Sequence, residues 1–242
     1  MAGINACRKI DGKEPLILRR DQAYIGVMID DLVTKGTEEP YRLMSSRAEF
    51  RLILRHDNAD IRLTEIGHEI GLIKEERYKN FIIKVNNINK AIDILKSTYL
   101  GNREDINSYL RSVESNELVG GIQAFELLKR PNVTYLGLKP FISSLEDIEL
   151  DEFAIEEIEI IAKYEGYIVK QIREAKNMAK LEEMKLPSSF DYLNMDGLAL
   201  EARQKLDKIR PLTIGQASRI SGVNPSDIAV LILNVRKKHE QD

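Results

Sequence analysis

Apolar residues recur three and four positions apart along most of this chain, which is the spacing of one helix face. Between residues 74 and 99 the series Phe81, Val85, Ile88, Ile92 and Leu95 predicts a long helix, with Gly101 beyond it. Asp21 is placed to cap a helix carrying Tyr24, Ile25, Met28, Ile29 and Leu32 that ends near Gly36. Thr64 can cap a shorter one through Ile66 and Ile70, stopped by Gly71, and residues 123–130 read as a short helix ended by Pro131. Residues 150–184 read as one long helix or as two broken at Gly166, since glycine inside a helix costs about 1 kcal/mol relative to alanine. Its seam of Ile158, Ile161, Ile168, Ile172, Ala175 and Ala179, interrupted by Glu165, suits either an internal core or a coiled-coil partner. Strand-like runs are nearly absent: Leu16-Ile17-Leu18, between Pro15 and Arg19-Arg20, is the best. The pattern predicts an all-α chain with at most a short strand near its N-terminus. Pro187-Ser188-Ser189 serves as a linker to a small helical C-terminal subdomain.

That subdomain carries sharp local signals. Thr213-Ile214-Gly215-Gln216 forms a capping box, Gly222 supplies a turn, and Asn224, Pro225 and Asp227 open the next helix. Two short helices joined by a glycine turn have the outline of a DNA-reading helix pair. The residue types argue against that use: the second helix opens Pro225-Ser226-Asp227 and continues Ile228-Ala229-Val230-Leu231-Ile232-Leu233, with nothing basic near its N-terminus to reach base edges. Its apolar surface exceeds one face, so it either sits centrally or docks a partner.

Composition narrows the classes. The 242 residues hold 36 Lys+Arg against 39 Asp+Glu, one Cys, no Trp and 43% hydrophobic residues. No run approaches the roughly eighteen apolar residues of a membrane span, and no signal pattern opens the chain, so a cytoplasmic protein is expected. A lone Cys7 and scattered His56, His68 and His239 offer no metal-ligand spacing. A net charge of -3 makes the chain as a whole a poor match for nucleic acid, so any such contact needs a local patch.

The charge is unevenly spread. Residues 141–162 hold Glu146, Asp147, Glu149, Asp151, Glu152, Glu156, Glu157 and Glu159 with no base, whereas residues 41–63 hold Arg42, Arg47, Arg51, Arg55 and Arg62. Ser46 and Glu49 have capping-box spacing, which predicts a helix that sets Arg47, Arg51 and Arg55 on one face, with Phe50, Ile53 and Leu54 on the adjoining face. Such a row can grip backbone phosphates through paired donors; it can equally be neutralised by Glu49, Asp57, Asp60 or the acidic block. Asp57-Asn58-Ala59-Asp60 lacks calcium-loop spacing and reads as a turn. No phosphate-binding glycine fingerprint, no His-Glu-x-x-His and no nucleophile elbow occurs, so no catalytic residue is assigned.

Several blocks nevertheless resemble one family. Ala2-Gly3-Ile4-Asn5-Ala6, the run from Asp21 to Gly36, Glu39-Pro40-Tyr41-Arg42, Ser46-Arg47-Ala48-Glu49-Phe50-Arg51-Leu52 and the run from Asp57 to Thr64 are similar to the bacterial tRNA uridine 5-carboxymethylaminomethyl modification enzymes, the MnmG or GidA family. The resemblance resumes at Lys163-Tyr164-Glu165-Gly166-Tyr167-Ile168 and from Ile214 to Val223, and is loose over residues 74–140; Phe50 stands where the family usually has Tyr. It covers the family's C-terminal part only, since the flavin-binding domain and redox-active cysteines that open its members are absent here.

The resemblance implies a homodimeric enzyme using FAD, NADH, a methylene-folate carbon donor and glycine or ammonium, working with the GTPase MnmE on the tRNA wobble uridine. Residues 1–20 would be a remnant of the flavin-binding domain, with Gly3 and Asn5 near the flavin only in a full-length protein; residues 21–186 would be a helical domain and residues 187–242 a docking subdomain. Arg42, Arg47, Arg51, Arg55 and Arg62 become the expected tRNA contacts, and Tyr164, Gly166, Tyr167, Arg219, Ile220 and Gly222 the expected partner contacts. The chain alone is expected to bind no cofactor and to be inactive, with no role for DNA, metal or membrane. The competing reading is a helical protein-interaction adaptor that touches no nucleic acid.

Overall fold

A computed structural model describes residues 1–34, 36 and 39–239, with the side chain of His239 left out. Twelve α-helices are present among them. The first six are α1 (Ala2–Ile10), α2 (Tyr24–Thr34), α3 (Ala59–Glu69), α4 (Glu75–Ser97), α5 (Glu104–Ser112) and α6 (Ala124–Leu128). They are followed by α7 (Tyr135–Leu138), α8 (Glu152–Lys163), α9 (Glu165–Glu183), α10 (Leu200–Ile209), α11 (Ile214–Ser218) and α12 (Pro225–His239). The strands are two residues each, β1 (Tyr99–Leu100) and β2 (Ile122–Gln123), antiparallel with Tyr99 opposite Gln123. Leu16-Ile17-Leu18 forms no strand; the strands among the described residues are β1 and β2.

The chain forms two compact units that interleave in sequence: residues 1–16 with 52–169, and residues 17–51 with 170–242. The linear division expected at residues 20 and 187 therefore gives way to two crossings, at residues 16–17 and 51–52, and a third inside α9. Pro187-Ser188-Ser189 is no boundary, because the residues before it are sewn to the C-terminal bundle. Leu186 N–H donates to the Leu212 carbonyl at 2.9 Å, and Ile214 N–H to that of Met184 at 2.9 Å.

In the first unit, Ile88, Ala91 and Leu95 of α4 bury against Ile106 and Leu110 of α5, Phe125 and Leu128 of α6, and Ile158 and Ala162 of α8. The Asp151 carboxylate accepts from Ala154 N–H at 2.7 Å and starts α8. Three boundaries differ from expectation. In the second unit, α2 begins at Tyr24 rather than directly after Asp21, whose carboxylate accepts from Arg19 instead of capping it. Helix α3 begins at Ala59, so Thr64 is a buried interior residue rather than a cap. The long C-terminal segment breaks at Tyr164, not Gly166; Glu165 is drawn to Lys129 at 2.7 Å and Lys96 at 3.5 Å, which pins the start of α9 there. Gly166 thus sits in a first turn, where its backbone freedom costs little.

In the second unit, Leu198, Ala202 and Leu206 pack with Ile214, Ala217, Ile220, Val223, Ile228, Leu231 and Val235. The Thr213 hydroxyl accepts from Gln216 N–H at 3.0 Å, as a capping residue does. Asp227 is buried and joins two helix starts: it accepts from Asn224 N–H and from Ala199 N–H, each at 2.9 Å. Helix α12 packs one face into its bundle through Ile228, Leu231 and Val235, leaves Ala229 and Leu233 exposed, and spends its acid on backbone donors.

Candidate nucleic-acid interface

The arginine-rich segment does not form the expected helix. Residues 45–47 make one 3-10 turn, Ala48 is extended, and residues 49–53 are turns. The reason lies in Glu49. Its carboxylate, needed for the capping box, instead receives Arg20, whose Nη2 donates at 2.9 Å and whose Nε donates at 3.1 Å. No side chain caps the 45–47 turn. A row of Arg47, Arg51 and Arg55 on one face is consequently not built.

Arg20 is 5% exposed and uses every donor. Besides Glu49, it donates to Asp31 at 2.8 Å, to Asp30 at 3.0 Å, and to the carbonyls of Val27 at 3.3 Å and Arg47 at 3.0 Å. Burial works against its charge, but the bonds to Glu49 and Asp31 outweigh it and raise the guanidinium pKa above its ordinary value. Asp30 also holds Arg219, whose Nη2 donates at 2.9 Å and whose Nη1 pairs with Glu182. The Arg219 Nε lies 2.9 Å from Asp30 but at an angle that leaves it without a hydrogen bond. Asp31 accepts from the Tyr41 hydroxyl at 3.0 Å and lies 3.6 Å from Arg47, which rests over the Tyr41 ring at 4.8 Å. One buried network thus fastens α2, the arginine segment, α9 and α11's C-cap within the second unit.

Beside it, Arg42 and Arg51 are exposed and have no ion-pair partner among the described residues; Arg47 is exposed with one long ion pair. The other two expected arginines lie in the first unit and are engaged there. Arg55 is half-buried, donating to Asp57 at 2.9 Å and to the Leu52 carbonyl at 2.8 Å, and pairing with Glu157. Arg62 donates to Asn58 at 2.9 Å and to the Arg55 carbonyl at 2.8 Å. Burial, eased by Arg55 but reinforced by Asp57, pushes the Glu157 carboxyl up to about 7. Burial also raises Asp57, but its bonds to Glu157 and Arg55 outweigh that and leave it below its ordinary value.

The expected partner contacts divide. Tyr164 and Tyr167 are exposed and a side chain at Gly166 would meet nothing, so this stretch of the first unit is open. In the second unit Ile220 is buried in the core, and Arg219 is partly buried with its guanidinium held in ion pairs to Asp30 and Glu182. Gly222 adopts φ +93° and forms the turn before α12. Asn5, expected near a flavin, clamps its own chain: its amide donates to the Leu16 carbonyl at 3.0 Å and accepts from Leu16 N–H at 2.7 Å. Gly3 has open space around it. No helix among the described residues is long and apolar enough to cross a membrane.

Sequence reasoning missed Arg20 and Asp31, which are buried, and Asp30 and Glu182, which are partly buried, because their pairing depends on segments far apart in the chain. A buried arginine has no local signature beyond an Arg next to apolar positions.

Two family models match this chain: the C-terminal helical domain of the tRNA modifying enzyme MnmG/GidA over residues 75–172, and its C-terminal helical bundle over residues 174–242. The chain is similar to the tRNA uridine 5-carboxymethylaminomethyl modification enzyme MnmG of Clostridium kluyveri, 51% identical over 241 residues, covering 100% of this chain and 38% of that protein. It is also similar to the protein of the same description from Listeria welshimeri, 54% identical over 237 residues, covering 98% of this chain and 37% of the relative. In three dimensions it resembles Aquifex aeolicus GidA in its form II crystal, at 40% identity and a TM-score of 0.77, covering 97% of this chain and 36% of that one. The chain spans less than two fifths of the length of these relatives.

Proposed function

The chain belongs to the tRNA-modifying MnmG/GidA family, of which it represents the C-terminal helical region, and from that premise we propose that it binds tRNA chiefly through Arg42 and Arg51, with Arg47, tied to Asp31 by one long ion pair, beside them. One observation supports this reading above the others. Arg42 and Arg51 are exposed without ion-pair partners among the described residues, on a segment that the buried Arg20 network fixes in place. Guanidinium groups held this way grip phosphate oxygens by paired, charge-assisted donors without first giving up an internal partner. Arg55 and Arg62 hold the first unit together instead.

In the whole enzyme this region would present tRNA to a flavin-dependent site that installs a (carboxymethyl)aminomethyl group on the wobble uridine, in a homodimer that works with the GTPase MnmE. Exposed Leu193, Leu200, Leu212 and Leu233 on the C-terminal unit support a protein-docking role for it. The residues present do not fit a flavin. Both polar atoms of Asn5 are spent on Leu16, and the sequence holds no phosphate-cradling glycine loop, so no chemical step is assigned to this chain.

Titrating a tRNA transcript into the chain over a salt series tests the proposal: salt-sensitive binding that weakens on replacing Arg42 and Arg51 is expected. Absence of tRNA binding would favour the adaptor role, and binding that ignores both arginines would contradict their assignment as the contacts. Flavin absorbance in the purified chain would contradict the cofactor reading.

A further inference from the structure

Helix α9 carries a second cationic feature, distinct from the arginine segment. Lys170, Arg173, Lys176 and Lys180 all lie in the second unit, and at 100° per residue they fall within about 120° of the helix circumference. All four are exposed, and none has an ion-pair partner among the described residues. Between Lys170 and Lys180 the same sector holds only Asn177 besides them. The opposite side of α9 does the packing: Ala175 is buried, Gln171 donates to the Glu49 carbonyl at 3.3 Å, and Glu182 holds Arg219. Glu174 lies beside the sector, one turn from Lys170, without an ion pair to it.

Such a row opposes helix stability. Lys170 with Arg173, and Arg173 with Lys176, are like charges three apart, and Lys176 with Lys180 are like charges four apart, each pair destabilising. The helix dipole favours Lys180 in the last turn but gives no support to Lys170 and Arg173, nearer the positive end. The chain keeps an unneutralised row about 15 Å long at 1.5 Å per residue, with no apolar centre of the kind a protein interface buries.

We propose that this face of α9 is a second RNA-backbone contact, a track of four cations along which consecutive phosphates lie. It rests on the reading that the chain meets tRNA, and adds a surface which that reading does not use. Cations that neutralise phosphates release condensed counterions, so they are read in the salt dependence of binding rather than in sequence preference.

The test measures the affinity of the intact chain for a tRNA transcript across a salt series, for the parent and for the K170A/R173A/K176A/K180A variant. A second variant, K170R/K176R/K180R, keeps the charge. With three to four phosphates no longer neutralised, the slope of log affinity against log salt falls by about 2 to 3.5, and the charge-keeping variant retains the parent slope. An unchanged slope in the alanine variant, while R42A/R51A lowers it, overturns the α9 track and leaves the arginine segment standing. A parent chain that does not bind tRNA overturns both. Loss of binding to poly-L-glutamate with tRNA binding intact would assign the row to an acidic protein and overturn it as well. The four side chains are exposed, and circular dichroism of both variants checks that the fold is kept.

Discussion

Arg20 and Glu49, twenty-nine residues apart, meet in a bidentate pair at 2.9 to 3.2 Å, and this pairing decides the shape of the arginine-rich segment. A carboxylate that could have capped a helix is taken by a buried guanidinium. The segment therefore runs as turns over α2, with Arg42 and Arg51 outward, rather than as a rod with its arginines in a row.

Removing Arg20 leaves Asp30, Asp31 and Glu49 facing one another without their shared cation. Breaking a buried pair from one side typically costs 3–5 kcal/mol, so Arg20→Ala is expected to lower the unfolding free energy by about 3 kcal/mol or more. Arg42→Ala, at an exposed site, is expected to change it by less than about 0.5 kcal/mol. Urea denaturation of the two variants checks the contrast, and equal effects would mean the network does not hold the unit.

Gly26 on α2 is a close-approach position. A Cβ there would lie 2.4 Å from the Leu18 carbonyl oxygen and 2.5 Å from that of Arg19, both backbone atoms that cannot rotate away. Gly26→Ala should destabilise by about 1–3 kcal/mol, as overpacking does, although alanine favours helix. By contrast, Gly3→Ala meets nothing within 4 Å and should be neutral or slightly stabilising. Thermal melts of the two variants give the comparison.

Glu157 gives the first unit a pH dependence of definite sign. Burial raises its carboxyl from the ordinary 4.5 to about 7, so the folded state holds its proton more tightly than the unfolded chain. This group's stabilisation is full below pH 4.5 and is lost as pH rises towards 7. Asp57, lowered, works in the opposite direction and loses its contribution only in acid. Denaturation midpoints should therefore fall between about pH 5 and about pH 7.5, and Glu157→Gln should flatten that fall. A parent midpoint that rises across the window would contradict the assignment.

The all-helical character was legible because the 3.6-residue period is local: Ile88, Ile92 and Leu95 show it without knowledge of the fold, and α4 forms as expected. The Thr213 cap was legible for the same reason. The arginine helix was not, since Ser46 and Glu49 have the right spacing but the partner that wins Glu49 comes from residue 20. The division into units was hidden likewise. Pro187-Ser188-Ser189 has linker composition, yet Leu186 and Met184 bond to Leu212 and Ile214 across a stretch no periodicity reveals. The α9 bases are visible at i, i+3, i+6 and i+10, but only the buried Ala175 opposite them shows which face is left outside.

The central claim is that two outward arginines meet an RNA backbone, and the most direct measurement is the salt dependence of tRNA binding for the parent chain and for R42A/R51A. The account predicts a linear fall of log affinity with log salt, with a slope smaller in the variant by about 1.4 to 1.8, roughly 0.7 to 0.9 for each phosphate left without its arginine. Identical slopes for the two proteins would contradict it.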